Sequence, residues 1–314
     1  MPRLVFMGTP EFAVPVLSAL ADNYQVVAVY TRADKPAGRG KRTEESPVKQ
    51  LARERGLTIE QPRTLRDAEA QARLRGYQPD VIVVAAYGLI LPPAVLEIPA
   101  RGCINVHASL LPRWRGASPI PFVILASDAE TGVTLMKMDA GLDTGPIIAW
   151  QAIPISPDDT TGTLTAKLSH VGAEILIKTL PAWLNGSISP VPQDDAHATV
   201  TRLVKKEDGL IDWSKSALEI ARAVRAYNPW PSAYTFWRGV TLKVLKAESR
   251  GEQKEFNELA GTVSRLNGDV GVTTGDGVLI LREVQLAGKR AMTIEEFVRG
   301  QREFVGARLG KMKS

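Results

Sequence analysis

An asparagine and a histidine stand two residues apart where an apolar run ends. Asn105 and His107 belong to the stretch NVHASLLP, which follows the apolar residues Cys103 and Ile104. Because side chains alternate across a β-strand, both should project from the same face. A later glycine-rich turn, residues 139–145, offers the carboxylate of Asp143. Catalytic zinc generally needs more than one His or Cys, so an amide, an imidazole and a carboxylate indicate polar group transfer without a metal.

Several motifs surround these residues in a fixed order. They read FMGTPEFAVPVL at residues 6–17, PAGRGKR at 36–42, VVAAYGLILP at 83–92, INVHASLLPRWRG at 104–116, DAGLDTG at 139–145 and AYNPWP at 226–231. In spelling and order they resemble the formyltransferases that use 10-formyltetrahydrofolate, most closely those that act on methionyl-tRNA. The resemblance extends over nearly the whole chain.

The resemblance implies an activity and a role for each residue of the trio. The formyl group of 10-formyltetrahydrofolate, the cosubstrate, would pass to the α-amino group of methionyl initiator tRNA, giving formylmethionyl-tRNA for translation initiation. Such a transfer needs oxyanion stabilisation and proton movement between the incoming and departing nitrogens. Asn105 could donate to the oxyanion, and His107 could stabilise it or protonate the leaving nitrogen. Asp143 could orient His107 or relay a proton through a water.

The resemblance also implies a set of residues that contact tetrahydrofolate. They lie after the histidine and in two flanking segments: Ser109, Leu110, Leu111 and Pro112; Tyr87, Gly88, Leu89 and Ile90; and Asp139. Apolar side chains could line the pocket of a flat aromatic ligand, and main-chain groups could bind its polar edge. An ordinary strand-ending turn with proline is the alternative for residues 109–112.

A basic, glycine-rich insertion, residues 34–42, precedes the helix predicted at Ser46. The resemblance places this loop at the acceptor end of the tRNA, with Arg39 as the arginine that enters it. The expected tRNA-binding residues are Lys35, Arg39, Lys41 and Arg42, and in the second domain Lys205 and Lys206. Composition alone favours a solvated flexible loop.

The net charge of +5 is unevenly distributed. Residues 201–314 carry 20 Lys and Arg against 14 Asp and Glu, a net charge of +6, so the remainder carries −1. A basic excess favours a nucleic-acid partner, because backbone phosphates supply affinity that does not depend on base sequence. A solvated lysine-rich surface is the alternative.

The order of apolar runs predicts an α/β fold for the first domain. Runs at Leu4–Met7, Tyr24–Tyr30, Val81–Ala86 and Ile104–Val106 alternate with helical patterns, which is typical of a Rossmann-like, mostly parallel sheet. Two Thr/Ser-Pro pairs, at residues 9–10 and 46–47, predict helix starts, and Gly56 predicts a helix end. A long helical pattern follows at Thr163–Leu184.

The rest of the chain predicts a second, β-rich domain. Short β-like runs, among them Thr241–Leu245, are separated by turns at Arg238-Gly239, Asn267-Gly268 and Asp276-Gly277, which favours a small antiparallel barrel of OB-like type. The predicted boundaries are 1–188 for the catalytic domain, 189–204 for a linker and 205–314 for an OB-like, tRNA-binding domain.

Other formyl-group enzymes and one other class of protein remain as alternatives. Glycinamide ribonucleotide formyltransferases match the trio on a single-domain chain, whereas sugar-nucleotide N-formyltransferases and the formyltetrahydrofolate hydrolase or dehydrogenase module can carry a second domain. A non-catalytic RNA-binding protein is the alternative of another class. We expect a cytoplasmic monomer without membrane contact, and we expect Cys103, the one cysteine, to be a small buried hydrophobe.

Overall fold

The structure is a computed structural model that describes residues 1–37, 42–251 and 259–310. The chain divides into two compact units. Unit 1 comprises Met1–Pro119, Glu130–Pro154 and Thr165–Thr201; unit 2 comprises Ile120–Ala129, Ile155–Leu164 and Arg202–Ser314. Within the described ranges, no helix has the length and apolar character needed to cross a membrane.

Unit 1 is organised around a seven-stranded sheet. The strands of residues 1–201 are β1 (Arg3–Gly8), β2 (Gln25–Tyr30), β3 (Lys35–Ala37), β4 (Arg42–Glu44), β5 (Ile59–Glu60), β6 (Val81–Ala85), β7 (Cys103–His107), β8 (Arg115–Gly116), β9 (Glu130–Lys137), β10 (Ile147–Pro154) and β11 (Val200–Thr201). The sheet order is β10-β9-β7-β6-β1-β2-β5. All neighbours from β5 to β7 are parallel, whereas β9 is antiparallel to both β7 and β10. The predicted mostly parallel sheet is confirmed.

Six α-helices begin among the described residues of 1–201, of which α5 lies almost wholly in unit 2 and α6 begins there. They are α1 (Val14–Asn23), α2 (Pro47–Glu54), α3 (Ala68–Gly76), α4 (Pro93–Leu96), α5 (Pro119–Leu125) and α6 (Thr161–Leu184). The predicted start of α2 is confirmed, because Ser46 Oγ accepts a hydrogen bond from Lys49 N at 3.1 Å and Pro47 occupies the first helical position. The predicted end is also confirmed, since Gly56 follows α2 with a φ of 65°.

The predicted helix cap at Thr9 is wrong. A 3-10 turn, Glu11–Ala13, follows Pro10 without a side-chain cap, and α1 begins only at Val14. The Thr9 hydroxyl instead donates to the Tyr87 carbonyl oxygen at 2.9 Å. This side chain therefore joins the loops that follow β1 and β6 instead of starting a helix.

The core of unit 1 lies around the central strands. Every residue of β6 is buried, which is typical of a parallel strand covered on both faces. Cys103, the first residue of β7, is 1% exposed, and burial raises the pKa of its thiol to about 12. The expectation that Cys103 is a small buried hydrophobe is confirmed.

Unit 2 contains an antiparallel sheet and two further helices. These elements are α7 (Ala217–Ala226), β12 (Ala233–Trp237), β13 (Val240–Arg250), β14 (Val263–Leu266), β15 (Asp269–Thr273), β16 (Val278–Leu286), β17 (Met292–Thr293) and α8 (Ile294–Gly300). The strand order is β12-β13-β16-β15-β14, and β17 pairs with β16. At the turn between β14 and β15, Asn267 and Gly268 have φ values of 53° and 94°, the left-handed pair that a tight hairpin needs.

Residues 306–310 join the two edges of this sheet. Gly306 N donates to Val263 O at 2.8 Å, and Leu309 N donates to Gly261 O at 2.8 Å, beside the β14 edge. Gly310 then exchanges two backbone hydrogen bonds with Phe236 of the β12 edge. The antiparallel second domain is confirmed, and hydrogen bonds along both edges of its sheet are compatible with the OB-like barrel, which stays a prediction.

Candidate active site

Strand β7 presents Asn105 and His107 on one face. It lies between β6 and β9, with Asn105 opposite Met136 and His107 opposite Thr134 of β9. The His107 side chain is 7% exposed, and Asn105 is half-buried. His107 is the last residue of the strand, so the imidazole stands where the loops of a parallel sheet form ligand sites.

The loop between β9 and β10 brings Asp143 to these two side chains. Asp143 Oδ1 accepts from Asn105 Nδ2 at 3.3 Å, Oδ2 accepts from Gly116 N at 2.8 Å, and Oδ2 lies 3.7 Å from His107 Nδ1. Asp143 has a φ of 53°, a left-handed conformation that Asp tolerates better than most residues. The structure therefore places the three predicted catalytic side chains together.

The two ring nitrogens of His107 face different partners. Nε2 lies 3.0 Å from the Trp114 carbonyl oxygen, which can only accept, so Nε2 carries a proton. Nδ1 is left facing Asp143. Trp114 has a φ of 61°, a strained conformation for a bulky residue, and strain of this kind is found mainly where function requires it.

A hydrogen-bonded turn after β7 positions the Trp114 carbonyl. The Ser109 hydroxyl is fully buried and donates to Arg113 O at 2.7 Å. Thr134 Oγ1 donates to Ser109 O at 2.7 Å and accepts from Leu111 N at 3.1 Å. Of the residues expected to contact folate, Ser109 thus uses its side chain to shape the turn, and Leu111 is buried beside it.

The other expected folate residues lie in two loops. Tyr87 is buried, whereas Ile90, in the loop after β6, is 73% exposed. Asp139 folds its own loop, because its carboxylate accepts from Gly141 N at 3.0 Å and from Thr144 Oγ1 at 2.8 Å. In the remaining positions, Gly88 is exposed and Leu89, Leu110 and Pro112 are half-buried. Among the described residues, no group of three or more His, Cys, Asp or Glu side chains is placed to hold a metal ion.

Two residues behind this site, Gln193 and Arg115, were not predicted from the sequence. Gln193 Nε2 donates to Asp143 O at 2.8 Å and to Gly145 O at 2.7 Å. Arg115, 6% exposed, donates from Nε and Nη2 to Gln193 Oε1 at 3.0 and 2.8 Å. Gln193 lies in a stretch without periodicity, 50 residues from Asp143, so no local pattern pointed to it.

The expected tRNA-binding residues are only partly described. Arg39 and Lys41 lie outside the described residues. Lys35 and Arg42 belong to β3 and β4, which pair as an antiparallel hairpin on either side of residues 38–41. Lys205 and Lys206 are exposed in unit 2, at the start of the 3-10 turn Lys206–Gly209.

The chain combines a Rossmann-like sheet with an antiparallel second unit, and an Asn, a His and an Asp meet at the end of β7. Together these features define a group-transfer enzyme. A family model described as formyl transferase matches residues 2–180, and one described as formyl transferase, C-terminal domain, matches residues 203–302. The chain belongs to the formyl transferase family. It is 50% identical over 310 residues to a Roseiflexus castenholzii protein named methionyl-tRNA formyltransferase, covering 98% of this chain and 99% of that one. Its identity to the Myxococcus xanthus protein of the same name is 47% over 302 residues, 96% of each chain.

Solved structures share the fold at low sequence identity. The N-formyltransferase from Helicobacter canadensis, in complex with folinic acid and dTDP-3-aminofucose, superposes with a TM-score of 0.67 at 20% identity, covering 90% of this chain and 98% of that one. The methionyl-tRNA formyltransferase from Clostridium thermocellum gives a TM-score of 0.54 at 18% identity, covering 87% and 100%. At these identities the likeness concerns the fold alone.

Proposed function

We propose that this chain transfers the formyl group of 10-formyltetrahydrofolate to the α-amino group of methionyl initiator tRNA. The convergence of Asn105, His107 and Asp143 at the end of β7 is the observation that carries the proposal. Support for the acceptor comes from the Roseiflexus and Myxococcus relatives, which are named for this reaction and align over nearly their whole length.

In the proposed reaction, the amine nitrogen attacks the formyl carbon, and the bond from that carbon to N10 of the folate breaks. An α-amine titrates near pH 7.7 to 8.0, and the neighbouring ester of an aminoacyl-tRNA lowers that pKa further, so much of the amine is already neutral and no strong base is required. One N–H of the Asn105 amide is bonded to Asp143, and the second N–H stabilises the oxyanion. The proton lost by the amine reaches N10 through His107, whose Nδ1 faces Asp143.

Each residue of the trio is expected to act mainly in the transition state. Replacing Asn105, His107 or Asp143 by Ala should lower kcat by roughly 100-fold or more while changing folate affinity much less. Single-turnover formyl transfer and equilibrium binding of tetrahydrofolate measure the two quantities separately. Near-normal turnover in all three variants would remove the basis of the proposal.

The proposed folate site comprises the same residues that the resemblance implies: Ser109, Leu110, Leu111, Pro112, Tyr87, Gly88, Leu89, Ile90 and Asp139. Large apolar side chains exposed on loops favour contact with an apolar ligand, and Ile90 and Leu142 are 73% and 61% exposed. Main-chain groups of the two loops would bind the polar edge of the pterin.

The proposed tRNA contacts are Lys35, Arg39, Lys41 and Arg42 around the β3–β4 hairpin, with Lys205 and Lys206 in unit 2. The pairing of β3 with β4 supports the proposal, because it fixes the positions of Ala37 and Arg42, the residues on either side of 38–41 in the sequence. We also propose a cytoplasmic monomer with the predicted limits 1–188 and 205–314 for its two domains; residues 165–201 of unit 1 take in most of the predicted linker, 189–204.

The test offers a labelled formyl group on 10-formyltetrahydrofolate side by side to methionyl initiator tRNA, to amino-sugar nucleotides and to water. Formylated methionyl-tRNA is the expected product. A formylated sugar or free formate would retain the catalytic trio and overturn the proposed acceptor.

The role of Arg39 has its own test. Arg39→Ala should lose tRNA-dependent transfer and retain tetrahydrofolate binding, and Arg39→Lys should recover part of the loss, because a lysine keeps the charge without the planar fork. An equal loss in a tRNA-free reaction, formyl transfer to water, would contradict a role in acceptor binding.

A further inference from the structure

Residues 191–201, which we name the return segment, run back over the loops that carry the proposed catalytic groups. Val191 pairs with Ile147 through two backbone hydrogen bonds at the start of β10. At the other end of the segment, β11 pairs in parallel with β8. The sequence predicted this stretch as part of a linker, yet residues 165–201 belong to unit 1.

Gln193 is the residue through which the return segment contacts the Asp143 loop. Its Nε2 group donates to the carbonyl oxygens of Asp143 and Gly145, at 2.8 and 2.7 Å. The orientation of the amide is determined by Arg115, because a guanidinium only donates and therefore faces Oε1. Both hydrogens of the amide are thus directed to the loop, and the whole group is satisfied.

The same segment also supports the histidine side of the site. Thr199 Oγ1 accepts from Trp114 N at 2.8 Å, and Thr199 O accepts from Arg115 N at 2.9 Å. Trp114 in turn accepts from His107 Nε2. Both Asp143 and Trp114 have positive φ, a conformation that costs free energy and persists only where neighbouring groups hold it.

We propose that Gln193 is a positioning residue for formyl transfer, which it serves by holding the Asp143 loop so that the carboxylate faces His107. The inference rests on the proposed catalytic role of Asp143. Without the two hydrogen bonds the loop relaxes from its left-handed conformation, and the carboxylate moves away from Nδ1. A displacement of about 1 Å can cost a factor of 100 in rate.

Two substitutions at Gln193 separate positioning from packing. Gln193→Met keeps the length of the side chain and removes every hydrogen bond. Gln193→Glu retains an acceptor for Arg115 but replaces the two hydrogen bonds to the loop by repulsion between oxygens, and it adds a negative charge that Gln193→Met does not add. Asp195→Asn is the matched control, because Asp195 accepts from Arg115 Nη2 at 2.7 Å and has no contact with the Asp143 loop among its described hydrogen bonds.

Both Gln193 variants should lower kcat by roughly 10- to 100-fold with the KM for 10-formyltetrahydrofolate within about twofold of the wild type. Asp195→Asn should keep the wild-type kcat. In an Asp143→Asn background, Gln193→Glu should add no further loss, because the group that it positions has already been changed. Wild-type kcat in Gln193→Glu, or a full additional loss in the double variant, would overturn the inference.

The outcome is independent of the proposed acceptor. If the wild-type chain formylates a sugar nucleotide or releases formate, the same variants are compared in that reaction. A wild-type enzyme that forms formylmethionyl-tRNA and a Gln193→Glu variant that does so equally well would retain the proposed function and reject Gln193. Should Gln193→Met fold poorly by its thermal midpoint, Gln193→Glu gives the answer alone.

Discussion

The charge of Asp143 gives the sharpest prediction about the catalytic site. Its Oδ2 lies 3.7 Å from His107 Nδ1, and both side chains are shielded, with exposed fractions of 15% and 7%. With an effective dielectric constant of about 20, Coulomb's law gives an attraction of roughly 4.5 kcal/mol for a protonated ring. Since about 1.4 kcal/mol changes a rate tenfold, removing the charge should lower kcat by roughly 1,000-fold.

Asp143→Asn is the suitable perturbation because it removes the charge with little change of shape, although the amide NH2 that replaces one carboxylate oxygen also gives up the hydrogen bond from Asn105 Nδ2. Asn adopts the left-handed conformation of residue 143 as readily as Asp does, and its Oδ1 still accepts from Gly116 N. The assay is formyl transfer with both substrates saturating, accompanied by the thermal midpoint and tetrahydrofolate affinity as controls.

A double-mutant cycle decides whether the charge acts through the histidine. In a His107→Ala background, Asp143→Asn should change kcat by less than about threefold, because no imidazolium remains to be stabilised. The same large factor in both backgrounds, or a single variant within threefold of the wild type, would refute the reasoning.

Two further predictions concern packing and pH. Gly145→Ala should lower both the thermal midpoint and kcat, because a Cβ would lie 1.8 Å from the Lys137 carbonyl oxygen; Gly300→Ala, with no atom within 4 Å, is its control and should be nearly neutral by thermal unfolding. Arg282→Met should lower the thermal midpoint at pH 7 by a few degrees. The hydrogen bond from Arg282 holds the pKa of Glu248 below its ordinary value, so this stabilisation is present above the unfolded pKa and is lost as the pH falls through the folded one. The difference between the wild type and the variant should therefore shrink towards pH 3, and a constant difference would contradict the assignment.

The positions of the strands along the chain follow from local patterns, because a strand that is buried on both faces requires a short continuous run of apolar residues. The run predicted at Val81–Ala86 is the strand Val81–Ala85, and it ends one residue earlier because Ala86 has a φ of 47°. The run predicted at Thr241–Leu245 is the first half of β13, which continues to Arg250 through bulges that keep it paired with β16. Pairing across a sheet therefore extends a strand beyond its apolar pattern.

Local chemistry also determined the helix ends at Ser46 and Gly56, since a cap depends on residues within one turn. The same reasoning was wrong at Thr9, because a carbonyl from a distant loop, Tyr87 O, binds its hydroxyl. A helix cap must accept from a backbone N–H, and Thr9 Oγ1 accepts instead from Arg32 N at 3.3 Å, so partners distant in the chain use the hydroxyl both as donor and as acceptor.

The sequence by itself determined that Asn105 and His107 share a face, because alternation along a strand is a local property. Only the tertiary structure decided that Asp143, 38 residues from Asn105, meets them, and that Gln193, 50 residues further on, holds its loop. The physical reason is that these contacts depend on the path of two irregular segments. Their conformations are set by hydrogen bonds between residues far apart in the chain and not by any periodic burial of side chains.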